Sequence, residues 1–399
     1  SLTLEGVCLL SALLTCVFSA GYLRRERAVT GEYYALLLMA VAGMFTLVLA
    51  SEFLTFFVGL ELMSLCGYVL AGYFRVKERS TEAALKYFML GVFASGFLLY
   101  GIALLYGASG TTHFPDLRHF LEQGNTSLTF IQLGVALLLV GLGFKVALVP
   151  FHAWAPDVYD GAASPVSAFL STGVKAAGFG AFARLFTEVF GLPGSWTDGL
   201  ALLAVVTMVV GNLGALAQTS VKRLLAYSSV AHAGYLMVGL AAASVAPADE
   251  VERAAAFYLL AYTLMTAGAF GWLGWAGGEG ERNLELESLR GIGLRQPWMG
   301  LWLAVFFFSL AGMTPTAGFF GKYYLFKLAV DHNLTWLAIL AVLNSFVSAY
   351  YYLRVVVFLY MKPSEGKEIP LASPAFGLSL AFFLCAAGVI VAGFLKFPF

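Results

Sequence analysis

The sequence predicts an all-α, polytopic membrane protein of about twelve transmembrane helices, two of them interrupted. Three observations carry that expectation. Of the 399 residues, 60% are apolar or aromatic and 12% are charged, roughly half the charged share of an ordinary globular domain. Apolar runs long enough to cross about 30 Å of hydrocarbon recur along the whole chain. Two of those runs hold a proline, glycines and a lysine at membrane depth.

The runs lie near 2–21, 33–50, 53–74, 82–107, 128–150, 164–188, 198–218, 222–244, 252–276, 298–330, 334–360 and 372–396. The first, "LTLEGVCLLSALLTCVFSAGYL", lacks the basic front end of a removable signal peptide, so it reads as a permanent span in a chain whose beginning is trimmed. The fifth meets Pro150 in "GLGFKVALVPFHAW", and the sixth opens on Ser164 and Pro165, an N-cap and first-turn pair. The tenth meets Pro315 in "SLAGMTPTAGFFGKYYLF". Backbone groups freed by a proline are tolerated in lipid only where they are buried in protein or line a wet cavity. Five spans separate the two interruptions, so the broken helices run in opposite directions, as an inverted repeat requires. The likeness of "GLGFK" to "GFFGK" points the same way. The chain therefore reads as one integral membrane domain, 1–399, with halves at 33–188 and 198–360 and a closing helix at 372–396.

The 23 basic and 23 acidic residues cancel, which gives no reason to expect nucleic acid. Their distribution is uneven. Loops on one side carry Arg24, Arg25, Arg27, Arg75, Lys77, Arg79, Lys222, Arg223, Arg282, Arg290, Arg295, Lys362 and Lys367, against Arg118, Arg253 and Lys396 on the other. This asymmetry predicts a multi-pass protein of the cell inner (cytoplasmic) membrane, rather than an organellar one, with both termini on the non-cytoplasmic side. Cys8, Cys16, Cys66 and Cys385 form no CxxC pair and lie within spans, so they read as small core residues rather than metal or cluster ligands. No GxGxxG follows a strand, so no nucleotide or flavin site is expected.

A charge near mid-bilayer costs at least a few kcal/mol unless it is paired or hydrated, so position selects the informative ones. Glu61 lies about eight residues into its span with no local cation and is expected to face the bundle interior, as a relay carboxylate or a helix–helix hydrogen bonder. Lys145 and Lys175 lie deep in neighbouring helices, and Lys322 follows the second break. Together they suggest a hydrated polar axis, a static ion pair or carbonyl contact being the alternative for each. Lys86 lies close to the basic side, where it either snorkels or joins the axis. His232 is a satisfied core histidine or a relay group. Tyr350, Tyr351 and Tyr352 read as packing or an interfacial belt. Lysine suits a proton path because burial favours its neutral form and a nearby carboxylate its charged form.

The segments "KVALVPFHAWAPDVYDGAASPVSAFLSTGVKAAGF", "SVKRLLAYSSVAHAGYLMVGL", "GMTPTAGFFGKYYLF" and "NSFVSAYYYLRVVVFLYM" resemble the antiporter-like membrane subunit N of respiratory complex I, the proton-pumping NADH:quinone oxidoreductase. The likeness runs from about residue 30 to 362. Sister subunits and Mrp-type cation/proton antiporters share the general pattern. The resemblance implies a fold of two inverted five-helix repeats with two discontinuous helices and a central hydrophilic axis. It places the family's proton-translocating groups at Glu61, Lys86, Lys145, Lys175, His232 and Lys322, with Glu61 and Lys145 as a coupling pair. It implies no cofactor or metal in this chain, with NAD, FMN, iron–sulfur clusters and quinone in other subunits. The expected partners are neighbouring antiporter-like and small membrane subunits, lipids, protons and water. The family has fourteen helices where twelve are counted here, Glu61 falling in the third span instead of the fifth.

Three functions compete on this reading. The first is a non-redox, proton-translocating subunit of a translocase. The second is an Mrp-like sodium/proton antiporter, which a lysine-rich axis disfavours because a sodium site wants convergent oxygen ligands. The third is a structural membrane-arm subunit whose polar axis only holds helices together.

Overall fold

The computed structural model describes residues 2–28, 30–123, 128–191, 196–281, 284–363, 371 and 373–394. Arg282, Lys367 and Lys396, three of the charges used for orientation, lie outside these residues. Each apolar run folds as a helix because lipid offers the backbone no partner and a helix satisfies its own N–H and C=O groups. The first four crossings are α1 (Leu2–Arg25), α2 (Gly31–Leu49), α3 (Phe53–Ala71) and α4 (Glu78–Ser109). Between α4 and the fifth crossing a short amphipathic helix, α5 (Phe114–Glu122), buries Phe114 and Leu117. The fifth crossing is split into α6 (Leu128–Val146) and α7 (Trp154–Gly161).

The sixth crossing is α8 (Ser164–Phe169), a π-turn at Leu170–Val174, α9 (Lys175–Arg184) and a second π-turn at Leu185–Val189. There follow α10 (Thr197–Leu216), α11 (Val221–Ala241), α12 (Ala248–Ala276) and the single turn α13 (Ile292–Arg295). The tenth crossing is split into α14 (Pro297–Ala311) and α15 (Ala317–Asp331), and α16 (Thr335–Tyr360) and α17 (Phe376–Phe394) complete the chain. Eleven helical segments among the described residues are long and apolar enough to cross a membrane, and the α14–α15 pair adds one more. The number of crossings expected from the sequence is therefore met.

The two halves repeat each other in their packing. In the first, α2 and α3 approach so closely that a Cβ on Gly43 would lie 2.5 Å from the Met63 nitrogen. In the second, α10 and α11 do the same, and a Cβ on Gly211 would lie 2.4 Å from the Ala231 nitrogen. Small residues at such contacts let backbones meet where no hydrophobic effect drives helices together. The entry to α3 pairs with the loop after α4 through a bridge from Glu52 to His113, and the entry to α11 pairs with the loop after α12 through Ser220 and Glu285.

Burial sorts the crossings. Of an 18-residue apolar stretch in each crossing, 100% is buried within the bundle in Ser164–Val189, 94% in Val221–Ser244 and 83% in Ala248–Ala276, whereas in Glu78–Ser109, Thr335–Tyr360 and Phe376–Phe394 it is 39% or less. A helix apolar all round belongs in an interior or against lipid. The sixth, eighth and ninth crossings thus form the centre, and any polar side chain on them must find its partners there.

Candidate functional site

Both breaks end a helix in the same way. In the first, Ala147 takes a left-handed φ of 60°, its N–H donates to Phe144 O at 3.1 Å, and the Leu148 N–H donates to Gly143 O at 2.7 Å. In the second, Gly312 has φ 84°, its N–H donates to Ser309 O at 2.9 Å, and the Met313 N–H donates to Phe308 O at 3.0 Å. This pair of bonds is the Schellman cap. A cis proline follows three residues on in each case, Pro150 and Pro315. The groups freed by the breaks are taken up by side chains. Val149 N–H donates to Thr207 Oγ1 at 3.1 Å, Trp154 Nε1–H to Phe144 O at 2.8 Å, and Gly318 N–H to Ser309 Oγ at 3.1 Å.

Three of the lysines singled out in the sequence are buried, Lys145 at 2% exposure, Lys175 at 1% and Lys322 at 4%. Lys145, in the last turn of α6, donates to Ser64 Oγ at 2.6 Å, and Ser64 in turn donates to Leu60 O. Its ammonium lies 5.4, 5.6 and 5.7 Å from the rings of Tyr68, Tyr87 and Phe144, a cation–π environment. Lys175 follows the first π-turn and donates to both O and Oγ of Ser229 at 2.6 Å. Lys322 turns back to the end of α14 and donates to Leu310 O at 3.1 Å, Ala311 O at 3.2 Å and Ser345 Oγ at 2.9 Å. Those carbonyls are the orphaned, electronegative end of a helix, which favours a cation. Among the described residues no carboxylate lies within 4 Å of any of the three amines. Oxygen acceptors worth about 1.5–3 kcal/mol per bond offset the cost of burial.

His232 links the centre to the far end. Its Nδ1 meets Tyr258 Oη at 2.7 Å and its Nε2 meets Tyr352 Oη at 3.1 Å. A hydroxyl can donate or accept, so either tautomer fits. Tyr352 also bonds Ser228, the neighbour in sequence of the Lys175 partner. Tyr351 donates to Asn212 Oδ1 at 2.9 Å, and Asn212 Nδ2 donates to Asn344 Oδ1 at 3.3 Å, beside Ser345 and its bond to Lys322. Tyr351 and Tyr352 are buried members of this network, while Tyr350 is exposed. The sequence pointed to packing or a belt at all three. A tyrosine triplet on one helix turns different faces outward and inward.

Glu61 is half-buried rather than interior. It accepts from Ser95 Oγ of α4 at 2.5 Å, one helical turn, about 4.5 Å of rise, from the Ser64 that holds Lys145. No direct Glu61–Lys145 ion pair forms among the described residues. Lys86 stands apart from the buried lysines. Its side chain is 42% exposed and pairs with Glu82 at 2.7 Å and Asp157 at 2.8 Å, and Asp157 also pairs with Arg223 at 2.9 Å. Ser164 does not act as an N-cap, because Ala163 takes that place and the Ser164 N–H donates to Glu281 Oε1 at 2.7 Å. Lys222, counted from sequence among the loop charges, is 1% exposed and paired with Glu281 at 2.5 Å.

The serines and tyrosines that hold the lysines carried no signal in the sequence. Hydroxyls are common in membrane helices, and only contact distinguishes these. As a whole the site is a set of buried amines close to hydroxyl and imidazole groups, which can pass a proton without a formal ion pair, and to amide groups that orient them.

Twelve crossings among the described residues, two capped breaks and a buried lysine set define a polytopic membrane protein with a polar interior. Residues 50–348 match the family described as NADH:quinone oxidoreductase/Mrp antiporter, TM. NADH-quinone oxidoreductase subunit N of Trichlorobacter lovleyi is 46% identical over 387 residues, covering 96% of this chain and 78% of that one. A chain of respiratory complex I from Thermus thermophilus with bound aureothin superposes with a TM-score of 0.83 at 39% identity, covering 98% of this chain and 83% of that one. A chain of the Mrp complex from a Dietzia species shares the fold, with a TM-score of 0.84 at 24% identity over 98% of this chain and 80% of that one. The chain belongs to the NADH:quinone oxidoreductase/Mrp antiporter family and, within it, to the subunit N group of the complex I membrane arm.

Proposed function

We propose that this chain translocates protons along the buried Lys145, Lys175, His232 and Lys322 set while redox chemistry takes place in other subunits of the complex. The observation that carries the reading is the bonding of the three buried amines to hydroxyl and carbonyl oxygens instead of carboxylates. Such an oxygen accepts from an ammonium, and a hydroxyl can also donate to a neutral amine, so the proton can leave without stranding a bare anion. Lys175 hands a proton toward Ser229. The Ser228–Tyr352–His232 bonds, and the Tyr351–Asn212–Asn344 bonds that end beside Ser345, line the path toward Lys322, the hydroxyls, the imidazole and intervening water carrying the proton and the amides orienting them.

Glu61 lies at the bundle surface one turn from the Lys145 contact, which suits a carboxylate that senses a neighbouring membrane subunit. Lys86 and Asp157 belong to the basic end, where the proton enters. Charge asymmetry supports a basic end facing the cytoplasm across the inner membrane, with both termini on the other side. The chain contributes no redox group of its own in this reading; NAD, FMN, iron–sulfur clusters and quinone belong to the partner subunits.

The test is proton pumping by the assembled complex in membrane vesicles. Lys145→Ala and Lys175→Ala should each lower protons moved per NADH oxidised severalfold while the complex stays assembled and reduces quinone. Full pumping in both variants would overturn the proposal.

A further inference from the structure

At the basic end a vestibule of 440 Å³ opens between the α3–α4 loop, the end of α7, the entry to α11 and the turn after α12. Its wall includes Lys77, Arg79, Asp160, Arg223 and Glu281. The mechanism above does not use Glu281 or Lys222. Lys222 lies in the first turn of α11, the end of a helix dipole that disfavours a cation, and it is almost fully buried. It is held there by Glu281 and by the Ala162 carbonyl at the end of α7. Glu281 occupies a left-handed backbone position, φ 52°, and accepts the Ser164 N–H at the start of α8, where a carboxylate is favoured. Burial alone would raise the Glu281 carboxyl, but the Lys222 ammonium and the Ser164 N–H outweigh it and hold it below the usual carboxylate range. The Glu281–Lys222 pair thus ties together the start of α8, the end of α7 and the start of α11.

Beneath it lies a seam of hydroxyls. α12 runs along α8 and its π-turn: Gly274 abuts Ser164, and the Tyr262 ring lies 6.0 Å from the Lys175 ammonium. Between those contacts the buried Thr263 hydroxyl finds no hydrogen-bond partner among the described residues, and that of Thr266 has only the Tyr262 hydroxyl beside it. Tyr262 Oη, beside Ser229 and Thr266, and Ser164 Oγ, beside Glu281, complete no bond of ordinary geometry either. Buried polar atoms left this way are sites for water. From Ser164 to Lys175 the seam is roughly 16 Å long, eleven residues at helical rise. On α11, Lys222 and Ser229 are seven residues apart and share a face.

We propose that Glu281 and Lys222 form a lock: their ion pair separates vestibule water from the hydroxyl seam, and its release connects that water to Lys175. Glu281 is a positioning residue in this scheme, acting through Lys222 and the head of α8. The lock deepens the translocation reading and rests on it for its purpose, though not for its existence.

Ser167, buried one turn into α8 from Ser164 and donating to Tyr159 O at 2.7 Å, provides the reporter. The experiment measures how fast silver ion, a water-sized thiol reagent added from the vestibule face, modifies Ser167→Cys in the assembled complex in vesicles, against the same complex without that cysteine. Modification should be slow with Glu281 present and at least tenfold faster with Glu281→Gln. The double variant Glu281→Gln, Lys222→Met leaves no unpaired buried charge and should be fast as well. Equal rates with and without Glu281, or a slow double variant, would overturn the lock. Faster modification together with unchanged pumping in Lys175→Ala would keep the lock and remove the relay. Loss of pumping in Lys175→Ala with unaltered modification rates would do the reverse.

Discussion

In the first broken crossing the lysine comes two residues before the left-handed residue, Lys145 before Ala147, whereas in the second it comes ten residues after, Lys322 after Gly312. The caps themselves are alike, bond for bond. Because the two crossings run in opposite directions, both lysines fall on the side of the break away from the vestibule. Ten residues after Ala147 the first crossing has Asp157, which faces the opposite end of the bundle and pairs with Lys86 and Arg223. The comparison teaches that the break is a backbone device that either half can make, and that charge is then placed by membrane depth rather than by register along the chain.

The largest expected effect separates the two backbones just past their prolines. Six residues beyond the left-handed residue the first crossing has Ala153, which is exposed and already carries a Cβ. The corresponding residue in the second is Gly318, where a Cβ would lie 1.9 Å from the Ser309 carbonyl oxygen. Backbone cannot yield there without opening the cap. Gly318→Ala should therefore cost about 3 kcal/mol or more and deplete the subunit from assembled complex, whereas Ala153→Gly should leave assembly intact. Subunit abundance in native gels of membranes measures both, and equal abundance would refute the claim that the second break is the tighter one.

A smaller difference concerns the lysines. Lys322→Met strands the Leu310 and Ala311 carbonyls at a buried helix end, a penalty of about 1–3 kcal/mol. Lys145→Met leaves Ser64 bonded to Leu60, and a thioether is at home among the three aromatic rings. Both variants should lose pumping to a similar degree, but Lys322→Met should lower the melting temperature of the complex more. The reverse order of melting temperatures would show that the α14 carbonyls do not depend on the lysine.

Much of this was legible in the sequence. Span lengths set the crossings because hydrocarbon thickness sets helix length, and Lys145, Lys175 and Lys322 stood out because burying an amine is expensive wherever it occurs. What the sequence hid was pairing. Lys222 looked like a loop charge, since nothing local indicates that a residue at the start of α11 is covered by a turn some sixty residues later. Lys86 read either as a snorkelling residue or as a member of the axis, and the structure has it half-exposed beside Asp157, because a position about two turns from the basic end can face either way. The likeness of "GLGFK" to "GFFGK" was a coincidence of letters: one precedes its break and the other follows it, and the true correspondence lies in Ala147 and Gly312, which share only a backbone angle.

That angle supplies the finest test. Holding Ala147 at positive φ costs about 1 kcal/mol that glycine would not incur, so Ala147→Gly should stabilise the first break by that amount. Gly312→Ala should cost about as much, and its Cβ would also stand 3.2 Å from Lys322 Cδ and 3.3 Å from the amine. The stability changes should nearly cancel in the double variant, since the two residues lie in different broken crossings and share no hydrogen-bond partner. Pumping should not cancel: Gly312→Ala pushes the amine off the Leu310 and Ala311 carbonyls, and Ala147→Gly touches no lysine contact. A double variant with restored melting temperature and unrestored pumping would assign the deficit to the position of the Lys322 amine, whereas full pumping would show that the amine works equally well when displaced from the helix end.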